Sequence, residues 1–186
     1  MPVTDDQTLL QQAEAGISAY LNQERDQGRI AGTYYDDAVA KTMPNLRKWL
    51  TAAELDRISP NLRDGLRNAI RDKQWTALTN AFSREVAFGT GGIREKMGPD
   101  RDVILRLKKE GLHAPIIKGP NTINDVVLQL TSAGVAQFGR QRKPPLRRIV
   151  IGFDSRVRGG DFARLIASLF LAYDYTVFLF DEACLY

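Results

Sequence analysis

Apolar residues in the first part of the chain recur every three to four positions, and no continuous apolar run there is typical of a strand. Three stripes carry this spacing: Leu9, Leu10, Ala13, Ile17, Tyr20 and Leu21; then Leu46, Trp49 and Leu50; then Leu62, Leu66, Ala69, Ile70, Trp75, Leu78 and Phe82. The pattern predicts a helical amino-terminal segment over residues 1–84. We expect Trp49 and Trp75 to pack on helical seams rather than to stack on a ligand.

From residue 85 onward the pattern changes to short apolar runs separated by glycine-rich and polar stretches. Residues 86–88 predict a short strand that leads into the sequence Gly-Thr-Gly-Gly-Ile-Arg of residues 89–94. The polar stretch that follows predicts loop with short structured pieces. Thr122 is expected to begin a helix, because Asp125 follows it at a capping-box-like spacing. One face of that helix would carry Val126, Val127, Leu130, Gly134, Val135 and Phe138.

Two apolar runs near the end of the chain, residues 149–153 and 176–180, predict buried parallel strands, the first of them covered on both faces. Between them lies a helix whose apolar residues are spaced to face a core: Phe162, Leu165, Ile166, Leu169, Phe170 and Tyr173. This succession predicts an α/β domain over residues 85–186, with a mixed or mostly parallel sheet sandwiched by helices and preceded by the helical extension. Because Tyr186 follows directly on a buried strand, we expect the domain to be incomplete and the chain to be the amino-terminal piece of a longer polypeptide.

Composition excludes several classes of protein. No apolar run approaches the about 20 residues of a membrane span, so we expect no membrane partner. Cys184 is the single cysteine and His113 the single histidine, which excludes an intrachain disulfide and a thiolate zinc cluster. The amino end lacks the basic start and apolar core of a secretory signal, and the cytoplasm is the expected compartment.

The charges do not require a nucleic-acid partner, and they could equally suit phosphorylated small molecules. The net charge is +4 and the basic residues are interspersed with acidic ones. The densest basic cluster, at residues 140–148, surrounds two prolines and is more typical of a solvated loop than of a nucleic-acid surface. We expect no nucleic-acid partner, and retention on DNA that weakens with salt would be needed to revive one.

The glycine-rich residues 89–94 are the strongest candidate for chemistry. Residues without a Cβ let backbone N–H groups converge on an anion, and Arg94 would add two parallel charge-assisted hydrogen bonds. The segment is neither a Walker loop nor a dinucleotide fingerprint, and it could equally be a tight structural loop.

A second candidate, residues 154–156, follows a strand at the place where open α/β sheets commonly bind ligands. Asp154 and Arg156 could instead pair with each other. Ser155 has no base in its local sequence and is a poor nucleophile.

Three motifs occur in a recognisable order: residues 88–94, residues 119–124, and residues 150–156 followed by the helix with Phe162 and Ala163 and by the strand that ends at Phe180. In this order they resemble the amino-terminal domain of the α-D-phosphohexomutases, most closely the phosphoglucomutase and phosphomannomutase branch. The resemblance implies a four-domain enzyme that interconverts hexose 1-phosphate and hexose 6-phosphate through a phosphoserine and a bisphosphorylated sugar, with help from Mg²⁺.

The resemblance assigns roles to individual residues. It implies that Arg94 is catalytic, near the phosphoserine, and that Thr90, Gly91, Gly92 and Arg156 bind phosphate. The family's Ser-His-Asn-Pro segment is absent here, so the nucleophile and the Mg²⁺ ligands are expected outside this chain. Residues 99–118 look like an insertion relative to the family.

The expected partners are a hexose phosphate and a hexose bisphosphate, and the chain alone is expected to be inactive. The alternative is a non-catalytic phosphosugar-binding or interaction module. Glucose, mannose and pentose phosphates all stay open as substrates. We also expect self-association through the sheet edge near Phe178 and Phe180, because large exposed apolar patches promote association.

Overall fold

The computed structural model describes residues 5–86, 88–89, 92–93 and 95–184. Its amino-terminal part confirms the predicted helical segment. The helices there are α1 (Asp5–Asp26), α2 (Gly32–Thr51), α3 (Leu55–Ile58), α4 (Leu62–Arg71) and α5 (Trp75–Phe82). None of the helices among the described residues is long and apolar enough to span a bilayer.

The helical stripes pack as their spacing predicts. Leu46, Leu50, Leu66 and Phe82 are fully buried in one hydrophobic cluster. Trp49 lies in the same cluster, with its ring edge-on to Phe82 at a centroid distance of 5.9 Å. Both tryptophans pack against this core, which confirms that they are structural.

The carboxyl-terminal part alternates strands and helices, and the predicted α/β class is confirmed. Its elements are β1 (Phe88–Gly89), β2 (Gly92–Ile93), α6 (Arg101–Glu110), α7 (Asp125–Gln141), β3 (Arg148–Ile151), α8 (Gly159–Ala172) and β4 (Thr176–Leu179). Strands β1 and β2 form an antiparallel hairpin. Strands β3 and β4 are parallel, with Ile149 opposite Val177 and Ile151 opposite Leu179, and α8 is the crossover between them.

The structure differs from two sequence-based predictions. Helix α6 occupies ten residues of the stretch predicted as loop with short structured pieces. Asp100 is its N-cap, because the Asp100 side chain accepts a hydrogen bond from Val103 N (2.8 Å). Helix α7 begins at Asp125, not at Thr122. Its N-cap is Asn124, whose side-chain oxygen accepts from the backbone N–H of Val127 (3.0 Å), while the Thr122 hydroxyl bonds inside the preceding turn.

The prediction that both parallel strands are buried was also wrong. Helix α8 packs on β3 and β4, and it buries Ile151. No described element covers the opposite sheet face, so Val150 is 64% exposed and Phe178 is 54% exposed. Other large apolar residues are exposed on neighbouring elements: Leu130, Val135, Phe138, Leu146, Leu171 and Phe180.

One hydrophobic cluster spans the predicted boundary between residues 84 and 85. It contains residues of α1, α2, α4 and α5 together with later ones: Val103, Leu107, Ala114, Ile116, Ile117, Val126 and Phe162. A second, smaller cluster joins α7, α8, β3 and Tyr175. The division of the chain into two domains between residues 84 and 85 stays a prediction. Residues on both sides of this boundary pack together in one cluster.

Candidate functional site

Four residues of the glycine-rich motif form the paired strands β1 and β2, with Phe88 opposite Ile93 and Gly89 opposite Gly92. The glycines at 89 and 92 thus lie within strands. Of the predicted site residues, Arg94, Thr90 and Gly91 lie outside the described residues, whereas Gly92 belongs to β2. The anion-binding role of all four stays a prediction.

The loop of residues 119–124, which we call the clamp loop, holds both legs of this hairpin. Before β1, the backbone N–H of Val86 donates to Pro120 O (2.7 Å). After β2, the carbonyl oxygen of Lys96 accepts from Ile123 N (2.8 Å). The clamp loop also bonds to the end of α5, where Asn121 N donates to Ala81 O (3.0 Å). The clamp loop, the second of the three motifs, therefore bonds to the chain on both sides of the first motif, residues 88–94.

An open cleft of about 840 Å³ lies at the carboxyl end of β3. Glu95 and Met97, just after the hairpin, line one side of it, and residues 151–154 and the first turns of α8 line another. The flank of the hairpin and the end of a parallel strand therefore share one cleft, as expected where open α/β sheets bind ligands.

Asp154 and Arg156 pair with each other at this cleft, which was one of the two sequence-based alternatives. Arg156 Nε donates to Asp154 Oδ2 (2.8 Å), and the Arg156 backbone N–H donates to Oδ1 (3.1 Å). Burial alone would raise the pKa of Asp154, but these hydrogen bonds outweigh it and lower that pKa. Among the described residues, no partner accepts a hydrogen bond from the terminal guanidinium nitrogens of Arg156, which is about half exposed.

The start of α8 is held close to the end of β3. A Cβ at Gly159 would lie 2.7 Å from Asp154 O, so only glycine allows this approach. Arg158, the N-cap, has a left-handed backbone (φ 60°), and its guanidinium donates to Lys108 O (2.8 Å) at the end of α6. Asp161 lies in the first turn of α8, where it accepts a hydrogen bond from Arg158 (3.0 Å).

Sequence reasoning missed a buried polar cluster beside the clamp loop. Lys118 Nζ donates to Ser59 Oγ (2.6 Å), to Asp125 Oδ2 (3.0 Å) and to the carbonyl oxygen of Leu112. Burial lowers the pKa of Lys118, and Asp125 opposes this shift. A lysine directly after the apolar residues Ile116 and Ile117 was the local signal for such a cluster.

The described residues do not fit a magnesium site. Within the described ranges, no group of three or more His, Cys, Asp or Glu side chains is placed to hold a metal ion. Mg²⁺ is held by oxygen ligands such as carboxylates and phosphates. Two described carboxylates line the cleft, those of Glu95 and Asp154, and Asp154 is already paired with Arg156.

Comparisons with known proteins identify the carboxyl-terminal part. Residues 105–185 match the family model for "Phosphoglucomutase/phosphomannomutase, alpha/beta/alpha domain I". The match begins inside α6, so it includes the latter part of the stretch that looks like an insertion and leaves out the hairpin.

Similar proteins include the phosphopentomutases of Homo sapiens and Pongo abelii, each 27% identical over 64% of this chain and 18% of its own length. The phosphoribomutase of Saccharomyces cerevisiae is 28% identical over 54% of this chain and 13% of its own length. The chain thus spans less than a fifth of these curated relatives. No solved structure is significantly similar to it.

Proposed function

We propose that the chain, whose residues 105–185 match domain I of the phosphoglucomutase and phosphomannomutase family, forms one wall of a phosphosugar site in an α-D-phosphohexomutase. The enzyme concerned would interconvert hexose 1-phosphate and hexose 6-phosphate by intramolecular phosphoryl transfer. A phosphoserine would donate its phosphoryl group to the sugar, and the bisphosphorylated intermediate would return its other phosphoryl group to the serine. The family match supports the general reaction, that of a sugar phosphate mutase.

The cleft at the carboxyl end of β3 carries the proposal. Phosphoryl transfer depends mainly on positioning and on offsetting charge on the phosphoryl oxygens. We propose Arg156 for this work, because Asp154 accepts a hydrogen bond from its Nε while the side chain stays about half exposed. Arg94 follows β2 directly and is adjacent to Glu95, which lines the cleft. We propose Arg94 as the catalytic arginine, with Thr90, Gly91 and Gly92 as its phosphate-binding neighbours.

In this proposal the nucleophilic serine and the Mg²⁺ ligands are expected outside this chain. When bound, Mg²⁺ would offset negative charge on the transferring group. The chain alone is therefore proposed to bind phosphosugars without converting them, and cytoplasmic location stays a prediction.

A pentose phosphate is the second candidate substrate. The observation that favours it is that similar proteins are named phosphopentomutase and phosphoribomutase. A binding module without catalytic activity is a further alternative, which the same measurements address.

Binding and turnover measurements on the purified chain test these proposals. We expect no conversion of glucose 1-phosphate, and calorimetric binding of glucose 1,6-bisphosphate that weakens about 10- to 100-fold in Arg94→Ala, since hydrogen bonds to charged groups contribute about 1.5–3 kcal/mol. The control is Arg140→Ala, an exposed arginine on α7 away from the cleft. Ribose 1,5-bisphosphate competes with the hexose if a pentose is preferred. Equal affinities of wild type and Arg94→Ala would remove Arg94 from the site, and turnover by the chain would refute its inactivity.

We propose in addition that the chain self-associates through the uncovered face of β3 and β4. Val150, Phe178 and Phe180 are each at least half exposed on or beside that face. Exposed apolar patches of this kind mark interaction sites in soluble proteins.

A further inference from the structure

Lys118 and Asp125 bracket the clamp loop at its two ends. Each side chain is 2% exposed, and Lys118 Nζ lies 2.9 and 3.0 Å from the two carboxylate oxygens of Asp125. At this burial each charge depends on the other for stabilisation, because an unpaired buried charge would strongly destabilise the folded state. The ion pair therefore fixes the distance between the ends of the loop.

The clamp loop is also bonded internally, so its ends determine the position of the whole loop. Asn124 Nδ2 donates to Gly119 O (2.9 Å) and to Thr122 O (3.1 Å) across the loop. The Asn124 side-chain oxygen caps α7. A shift of either end would move the two groups that hold the hairpin, Pro120 O and Ile123 N.

The ion pair extends this arrangement to the helical segment. Ser59, the C-cap of α3, accepts from Lys118 Nζ through its hydroxyl oxygen (2.6 Å). The carbonyl oxygen of Ile58 accepts from Gln129 of α7 (3.2 Å). Helix α3 is thereby attached to both sides of the clamp loop.

We propose that Lys118 and Asp125 are positioning residues that hold the clamp loop, and through it the glycine-rich hairpin, in place. Their effect on phosphosugar affinity rests on the proposed function, whereas their effect on the hairpin does not. The helical segment has a part in this arrangement, because it supplies the hydroxyl oxygen that completes the surroundings of Lys118.

Amide hydrogen exchange tests the proposal without any ligand. The amides to follow are Val86 N and Ile123 N, compared with amides of α2 in the same molecule to correct for a change in global stability. In Lys118→Met we expect both amides to exchange at least tenfold faster relative to α2. Arg67→Met is the control, because Arg67 pairs with Asp6 (2.8 Å) between α1 and α4, away from the hairpin.

The double variant Lys118→Met/Asp125→Asn separates positioning from simple charge balance. It leaves no buried charge unpaired, so it regains stability that Lys118→Met loses. We expect its Val86 and Ile123 amides to remain at least tenfold faster than in the wild type. Protection equal to the wild type, or an equal change in Arg67→Met, would overturn the proposal.

A milder variant, Ser59→Ala, decides the question if either of these variants does not fold. It keeps the ion pair and removes one acceptor from Lys118, and at least threefold faster exchange at Val86 and Ile123 is expected. No change there would overturn the proposal.

Affinity for glucose 1,6-bisphosphate gives the separate functional readout. We expect it to fall at least tenfold in the double variant and to stay unchanged in Arg67→Met. If the wild type does not bind this ligand, the proposed function fails, while the exchange results still decide whether the pair positions the hairpin.

Discussion

Replacing Gly119 with alanine would test how closely the clamp loop must approach α5. A Cβ at this position would overlap the carbonyl oxygen of Ala81 and lie 2.9 Å from the Ala81 Cβ. The obstacle is mainly backbone, which cannot rotate away as a flexible side chain can. The same carbonyl oxygen accepts the hydrogen bond from Asn121 N, so the loop cannot retreat without losing that bond.

The magnitude follows from these contacts. Forcing a methyl group into a filled space costs about 1–3 kcal/mol. Loss of the hydrogen bond between Asn121 and Ala81 costs about 1 kcal/mol more. Alanine also lowers the conformational entropy of the unfolded chain, which stabilises the folded state by about 0.4–1 kcal/mol. The net expectation is a decrease of about 1–3.5 kcal/mol in the free energy of unfolding, a considerable share of the about 5–15 kcal/mol typical of a domain.

Urea unfolding monitored by circular dichroism is the assay, with Gly134→Ala as the matched control. Gly134 lies inside α7, and no neighbouring atom lies within 4 Å of the position that an alanine Cβ would occupy. Alanine there should therefore raise stability by up to about 1 kcal/mol through helix propensity. The opposite signs of the two substitutions are the expected result. A Gly119→Ala stability within about 0.5 kcal/mol of the wild type would refute the close approach.

Three further predictions concern other regions. Glycine in Arg158→Gly can keep the left-handed backbone, but the side-chain hydrogen bonds to the end of α6 are lost. Amide exchange in the last turn of α6 should therefore become several-fold faster in this variant. In the control variant, Arg164→Ala, the exchange rate of these amides should not change. Hydrogen bonds from Arg67 lower the pKa of Asp6. The Asp6 carboxylate therefore stabilises the fold above its unfolded pKa of about 3.9, and this contribution is lost on acidification. We expect Asp6→Asn to be less stable than the wild type at pH 7 and its stability to vary less with pH below about pH 5. Phe178→Lys should reduce self-association in light scattering and Leu105→Lys should not; a monomeric wild type at high concentration would contradict the proposal.

The local pattern predicted the helices well where apolar spacing alone decides the structure. In α4, Leu62, Leu66 and Ile70 recur every four residues, and all three are fully buried. Helix α6 escaped prediction because only Val103 and Leu107 anchor it to the core, and glycine and proline flank it. Its N-cap aspartate was the available signal.

The exposure of β3 and β4 could not be predicted from an apolar run. Such a run shows that a strand can be covered on both faces, and the neighbouring elements decide whether it is. Here α8 supplies one cover, which buries Ile151, while Val150 on the other face is exposed among the described residues.

In the candidate site as well, contacts between residues close in sequence could be predicted, whereas contacts between residues far apart in sequence could not. Asp154 and Arg156 are two residues apart, and their pairing was among the sequence-based alternatives. The partner of Lys118 at Ser59 is 59 residues away, so no local pattern could indicate it. Asp125 was assigned to the start of a helix, and its buried ion pair followed only from the packing.

The packing also bears on where the functional unit of this chain begins. The family match starts at residue 105, yet Ile116, Ile117 and Val126 lie in one hydrophobic cluster with residues of α1, α2, α4 and α5. The backbones touch there as well, because a methyl group at Gly65 would lie 2.7 Å from Ile116 N. Since Lys118 follows directly on these apolar residues, the helical segment buries the base on which the clamp loop is built. The position of the glycine-rich hairpin therefore depends on the helices that precede it as much as on the family domain that follows.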